Sequence, residues 1–312
     1  MKRFKSAVPP GFSKPTALPA DNSQQQVWQR DNRDWWQQHP MRYDWNAPIP
    51  YEEFSKEFYI EIDRRFYDAV SLFAPWKIVP FDFLVDFDSL RTKDVLEIGC
   101  GNGSHGQLLA THARSYTGID LTDYAVKSTS TRMNLWGLNG TVLKMDAETM
   151  QFPDNSFDLI WSWGVIHHSA NTQQIVKEMN RVLRPGGRAI IMVYYRSLWS
   201  YYVAGAMLAI LGGKFPTINT IHRSKQLATD GAMARYYTPR DWRRLISGFF
   251  DVDNIRIYGQ KEGLIFLPGG KFKQSVLRMI PNSLSRFLST KCRMGNFLVS
   301  EITKCDRPAH NN

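Results

Sequence analysis

The chain of 312 residues contains only three cysteines, Cys100, Cys292 and Cys305. Their spacings fit neither a disulfide framework nor a zinc knuckle, so a reducing compartment is expected. Long apolar runs are also missing. The longest, LWSYYVAGAMLAILGG at 198–213, falls short of the roughly 17–25 residues that span a bilayer and reads as a buried or interfacial helix. The opening MKRFKSAVPPGFSKPTALPA has basic residues with no apolar run of signal-peptide length behind them, which points to a cytoplasmic protein. Acidic residues are scarce in two stretches. Residues 196–249 and 267–312 each hold eight Lys or Arg against two Asp or Glu, whereas 93–195 balances nine against nine. The net charge of +10 therefore lies outside the middle of the chain. Such an excess leaves nucleic acid, anionic lipid or an acidic substrate open as partner.

Aromatic residues, by contrast, are abundant, and the length suffices for a full core. Residues 1–20, rich in proline, glycine and small residues, read as a mobile arm. Beyond them Trp28, Asn32, Trp35 and Trp36 fall at helical spacing, and Pro40 should end that helix. Two roles stay open for it, a lid over a site or a helix packed on the flank. Phe54, Phe58, Ile62, Phe66, Val70 and Phe73 set a second helix. From residue 93 the rhythm changes. Short apolar runs at 94–99, 116–120, 141–145, 157–162 and 188–195 alternate with helical lengths, which means βαβ units and a parallel sheet. A helix at 239–249, a strand at 251–259 and a late strand at 295–304 follow, with an excursion over 260–294.

The run VLEIGCGNGSHG sets a strand directly before glycines and a helix-forming stretch. Glycines let backbone approach a ligand closely, and free N–H groups at a helix start point toward it. Gly101, Gly103 and Gly106 also fit the dinucleotide pattern G-x-G-x-x-G, so a nicotinamide dehydrogenase is a competing reading. Four features bear on the choice. Glu97 precedes Gly99, Gly101 and Gly103 in the pattern E-x-G-x-G-x-G; Asp120 ends the second strand; Asp146 ends the third and Asp158 opens the fourth; and LRPGG at 183–187 turns into the fifth.

Together these motifs resemble the class I S-adenosylmethionine-dependent methyltransferases, in their small-molecule branch. The resemblance covers about 93–195. It implies an α/β fold, a Rossmann-like doubly wound and mostly parallel seven-stranded sheet with helices on both faces, here with an N-terminal helical arm and a helical cap. The expected organisation is the arm at 1–20, a helical and aromatic segment at 21–92, the methyltransferase domain at 93–304 and a tail at 305–312. Within the domain lie a cofactor core at 93–195, a cap insertion at 196–240 and late strands with a basic excursion at 250–304. The resemblance further implies S-adenosyl-L-methionine as cofactor. Gly99, Gly101 and Gly103 should face its methionine part, with Glu97 contacting it or fixing the loop. Asp120 should take the ribose, Leu121 should lie against the adenine, Asp146 and the Ala147 N–H should meet the adenine edge, and Trp163 should stand near the methionine.

The stretch DLIWSWGVIHHSAN then places His167 and His168 where the loop after the fourth strand borders the methyl group in this fold. A metal pair is disfavoured, since adjacent side chains should diverge and zinc needs three or four converging ligands. A base for an acceptor hydroxyl and simple packing both remain; His167 is the better base and His168 the better scaffold. Tyr194 and Tyr195 are alternatives for orienting substrate. Nucleic acid is disfavoured as acceptor, because no cysteine follows a proline after the fourth strand and WSWG replaces the [DNS]-P-P-aromatic motif. The expected acceptor is a small or lipid-linked molecule, methylated on oxygen, with an activated carbon next. The segment 271–293 has six basic and no acidic residues, with Val276, Ile280, Leu284, Phe287 and Leu288 at helical intervals. It suits either peripheral contact with an anionic membrane or a solvated basic face. A binding protein that keeps the fold without catalysis is the remaining class.

Overall fold

A computed structural model describes residues 8–45, 47–266 and 270–305. Two helices come first, α1 (Asn22–Gln38) and α2 (Lys56–Phe73), followed by β1 (Asp94–Ile98), α3 (Ser104–His112), β2 (Ser115–Asp120), α4 (Asp123–Trp136) and β3 (Thr141–Lys144). The chain continues through β4 (Phe157–Trp163), α5 (Thr172–Val182), β5 (Leu183–Tyr195), α6 (Ala204–Leu211), α7 (Ile218–Ala228), β6 (Tyr236–Tyr237), α8 (Pro239–Ile246) and β7 (Phe250–Tyr258). It closes with α9 (Lys271–Met279), α10 (Asn282–Arg286) and β8 (Phe297–Lys304). The seven expected strands form one sheet in the order β3-β2-β1-β4-β5-β8-β7, and the two-residue β6 adds to the end of β5. β8 alone runs against its neighbours.

Alternation along the strands builds two cores. Leu96 and Ile98 of β1, Ile160 of β4, Ala189, Ile191 and Val193 of β5, and Leu298 and Ile302 of β8 turn to one face. There they meet Ile175, Val176, Met179 and Val182 of α5 and Trp242 and Ile246 of α8. Val95, Leu159, Trp161, Ile190, Met192 and Val299 turn to the other face, against Phe66, Val70 and Phe73 of α2 and Leu109 of α3. Burial on both faces is why these strands read as near-continuous apolar runs.

Local chemistry sets the helix ends. Asp21, Ser55, Thr122, Asn171 and Thr238 each accept a backbone N–H at a helix start, and Thr238 with Asp241 forms a full capping box. α1 stops at Gln38, two residues before Pro40, as the spacing predicts.

One expectation is corrected. Residues 1–7 lie outside the described residues, but 8–20 are not a loose arm. Phe12 is buried against Trp28, and the Pro15 carbonyl accepts from Tyr236 N at 3.0 Å. Over 271–293 Pro281 splits the segment into α9 and α10, with Leu277, Ser285 and Ser289 buried and Leu284 and Phe287 exposed, so part of its apolar side is turned to the surface.

Candidate functional site

The strand order reverses between β1 and β4, so the loops after these two strands flank a crevice at their C-terminal ends, where open α/β sheets take ligands. The Gly99–Gly103 loop leaves β1 in left-handed backbone, with φ of 78° at Gly99 and 54° at Gly101. At Gly99 a side chain is also excluded sterically, since a Cβ would stand 2.3 Å from Val165 Cγ2 in the loop after β4. At Gly101 an added Cβ would meet nothing within 4 Å. The loop is therefore pressed on one neighbour at Gly99 and opens onto free space at Gly101, a cradle that fits a ligand approaching the backbone.

A fully buried arginine holds that cradle from behind. Arg132 of α4 donates to Asn102 O at 3.1 Å, Ser104 Oγ at 3.3 Å and Gln107 Oε1 at 2.7 Å, and pairs with Asp63 of α2. Glu97, expected to contact the ligand or fix the loop, is 2 % exposed and accepts from Tyr116 Oη at 2.6 Å. Burial pushes its carboxyl up to about 8, with the Tyr116 hydrogen bond pulling the other way.

Asp120 stands at the end of β2, beside the loop. Its Oδ2 accepts from Gly101 N at 3.2 Å, and its Oδ1 from Thr122 N at 3.0 Å and Thr122 Oγ1 at 2.9 Å. A carboxylate offers about four lone-pair sites, so room is left for a ligand hydroxyl. Burial raises its pKa while the Thr122 and Gly101 hydrogen bonds lower it. Leu121 follows directly and is half-buried. Asp146 lies past β3 and accepts on Oδ1 from Glu148 N at 2.8 Å; Ala147 between them is half-buried. Trp163, at the end of β4, lies almost flat on Trp161, 5.6 Å between ring centres at 11°, and edge-on to Phe81 at 4.8 Å. His105, at the start of α3, completes this aromatic wall next to the glycine loop.

α1 packs over the loops that follow β3 and β4. Gln29 donates to Asp146 Oδ1 at 2.8 Å and accepts from Ala170 N at 3.0 Å, so one amide ties the loop after β3 to the loop after β4. One turn earlier, Gln25 donates to Glu148 Oε2 at 2.6 Å. Glu148, 2 % exposed, also accepts from Ser169 Oγ and from Asn171 N. A helix packed only on the flank would not reach these carboxylates.

His167 and His168 are buried in a short 3-10 turn after β4. Their rings do not diverge as expected of neighbours; the centres are 4.1 Å apart, because the tight turn lays both against the end of β5. The His167 ring stands 4.0 Å from Tyr194, and Trp36 of α1 contacts His168 at 5.1 Å. His168 Nδ1 lies 2.7 Å from the Met233 carbonyl, which fixes the proton on that nitrogen. His168 Nε2 and both ring nitrogens of His167 are buried without a hydrogen-bond partner. Such orphans cost about 1–3 kcal/mol each, which points to a group that completes them. Burial lowers both pKa values, and the nearby Arg235 cation lowers them further. Tyr194 donates to Asp230 Oδ1 at 2.6 Å, and burial raises its pKa well above the usual phenol range. Among the described residues no group of three or more His, Cys, Asp or Glu is placed to hold a metal.

A family model described as "Methyltransferase domain" matches residues 96–191. That window begins in β1, ends in β5 and contains the glycine loop, both aspartates and the histidine turn. Residues 96–191 thus match a methyltransferase domain. Over 100 residues the chain is 39% identical to phthiotriol/phenolphthiotriol dimycocerosates methyltransferase 1 of Mycobacterium ulcerans, a match covering 31% of this chain and 36% of that protein. Over 97 residues it is 37% identical to the fatty-acid O-methyltransferase of Mycolicibacterium smegmatis, covering 30% and 35%. The matched part thus spans little more than a third of the length of these relatives. The fold likeness reaches further. The [4+2]-cyclase SpnF aligns with a TM-score of 0.52 at 14% identity over 94% of this chain and 98% of its own, a similarity of fold alone. The dinucleotide reading of Gly101, Gly103 and Gly106 is set aside by the domain match. Gly106 serves packing instead, since a Cβ there would stand 2.5 Å from Tyr116 Oη.

Several residues around the methyltransferase domain's crevice carry no sequence motif. Gln29, Arg132, Glu148 and Arg235 act through partners far away in the chain. Arg235, fully buried, donates to the carbonyls of Ser169, Ala170 and Ala17, and so fastens the loop after β4 to the N-terminal segment.

Proposed function

We propose that the protein transfers a methyl group from S-adenosyl-L-methionine to a hydroxyl of a small or lipid-linked acceptor. The observation that carries this reading is the open left-handed cradle at Gly101 with the Asp120 carboxylate bonded to its backbone N–H. In this reading Asp120 accepts the ribose hydroxyls, Leu121 covers the adenine, Asp146 and the Ala147 N–H read its edge, and Gly99, Gly101 and Gly103 admit the methionine part beside Trp163. Glu97 holds the loop through Tyr116 rather than touching the ligand. The bound cofactor supplies an electrophilic methyl group on a sulfonium, and the remaining work is alignment and exclusion of water.

On the acceptor side, His167 offers a neutral imidazole with no protein partner, next to Tyr194 and its Asp230 contact. Neutral imidazole can take the hydroxyl proton. His168, locked by Met233, positions its neighbour. The name of the fatty-acid relative supports oxygen as the acceptor atom and a lipid as the acceptor. The setting we propose is the cytoplasm, in peripheral contact with a membrane.

Calorimetry with S-adenosylhomocysteine tests the cofactor half. Wild type should bind, and Asp120→Ala should lose about 10- to 100-fold in affinity, the range for charge-assisted hydrogen bonds. Equal binding by both proteins would remove Asp120 from the site. Labelled methyl transfer into a cell extract split into lipid and aqueous fractions tests the acceptor class. Label that withstands base but is released by hydriodic acid marks the ether oxygen of a methylated hydroxyl, label lost to mild base marks a carboxylate acceptor instead, and label that withstands both marks carbon.

A further inference from the structure

α6 and α7 pack on each other as a hairpin. Its seam is well packed: a Cβ on Gly205 would meet Ile221 Cγ2 at 2.7 Å, and Tyr201 Oη lies 2.9 Å from His222 Nδ1. Its tip is the reverse. Ile210, Leu211, Phe215 and Ile218 are 59%, 79%, 82% and 73% exposed. Lys214 N bonds to Ala209 O at 2.9 Å and Thr220 Oγ1 to Phe215 O at 2.7 Å, so a tight turn gathers these four side chains at one end. Exposed single apolar residues are ordinary, but a fixed cluster of four is an interaction surface.

Charge identifies the partner. No Asp or Glu occurs between Arg196 and Asp230, while Lys214 sits exposed within the apolar tip and Arg223 is exposed on α7. Apolar side chains with Lys214 among them, Arg223 further along α7 and no acid in the hairpin match the boundary of an anionic bilayer, where the tip enters the acyl region and the cations meet phosphates. A second copy would set two like-charged tips against each other. At the hairpin's root, the Tyr201 ring lies 4.9 Å from Tyr236, which lies 5.4 Å from Tyr194 beside His167. The surface and the acceptor side thus share one aromatic cluster. Among the described residues no helix is long and apolar enough to cross a membrane.

We propose that the α6–α7 tip inserts into the surface of an anionic membrane and brings the acceptor side to it. The proposal deepens the lipid-linked reading and depends on it only for its purpose.

The test is co-sedimentation of the full chain with vesicles of phosphatidylcholine, with and without phosphatidylglycerol. Wild type should sediment with the anionic vesicles only. Ile210→Asp/Phe215→Asp should lose binding by at least about tenfold, given the apolar area withdrawn, and Lys214→Glu should weaken it more at low salt than at high. Unchanged circular dichroism and S-adenosylhomocysteine affinity in these variants would show that the fold and the cofactor reading stand, whatever the vesicles do. Three results overturn the proposal: no vesicle binding by wild type, binding undiminished in the double variant, or a wild-type dimer that Phe215→Asp dissociates.

Discussion

Glu97 is an acid kept where water does not reach, and the consequence is a pH dependence. Its folded pKa is about 8 against an ordinary 4.5, so the folded protein holds an extra proton between those values. Stability from this group is fully present below about 4.5 and declines as pH rises toward 8, by at most about 1.4 kcal/mol per unit. Glu97→Gln keeps an acceptor for Tyr116 and has no proton to lose. Thermal melts at pH 5 and pH 8.5 should show a smaller fall for the variant than for wild type, and equal falls would deny the buried-acid account. His167 carries the opposite shift. With its pKa lowered by burial and by His168 and Arg235, the base form persists below the usual imidazole range. Turnover should hold as pH drops through about 6.5. His167→Ala should cut kcat by about 100-fold or more and leave S-adenosylhomocysteine affinity unchanged; an unaltered rate returns the residue to packing.

The place of Asp120 at the end of β2 was legible in the sequence because a carboxylate closing an apolar run a short way past a glycine loop is a local pattern, whereas Asp146, two residues past β3, was marked only by the resemblance. Gln29 was not legible. Its two hydrogen bonds reach 117 and 141 residues along the chain, and nothing near it in sequence marks either end.

Among elements, the helices and strands that periodicity predicts are present, because burial on one helix face or both sheet faces writes itself into residue spacing. What spacing does not show is contact between distant segments. α1 read equally well as lid or flank until its glutamines were seen on Asp146 and Glu148. The segment 8–20 read as loose because its anchor, Arg235, lies more than two hundred residues away. That anchor gives an element-scale prediction. The Arg235 guanidinium serves three carbonyls on two segments, and an ammonium lacks the fork to do so. Arg235→Lys should cost about 2–4 kcal/mol, read as a lower denaturant midpoint with an unchanged slope. A midpoint matching wild type would mean that the carbonyls find other donors.

For the whole molecule, the crevice couples ligand binding to global stability. A ligand at about 100 times its dissociation constant adds about 2.7 kcal/mol, which for a chain of this size is a rise of roughly 4–6 °C in Tm. S-adenosylhomocysteine should raise the melting temperature by that amount, and the same concentration should leave Asp120→Ala near its unliganded value. The uneven charge is also a whole-molecule property. The neutral centre carries the matched domain, while the basic flanks supply the hairpin and the late strands.

The reversed strand β8 carries one more consequence. It lies between β5 and β7 and pairs with both, and Ser300 within it accepts the Trp242 indole N–H at 3.0 Å. On a ribosome, residues 297–304 emerge after every other strand of the described residues. Until they do, β5 and β7 have no partner between them, and one apolar layer stays exposed on the nascent chain. Closing the sheet between β5 and β7 therefore falls late in synthesis, a long-range pairing of the kind that folds slowly and leaves apolar surface exposed meanwhile.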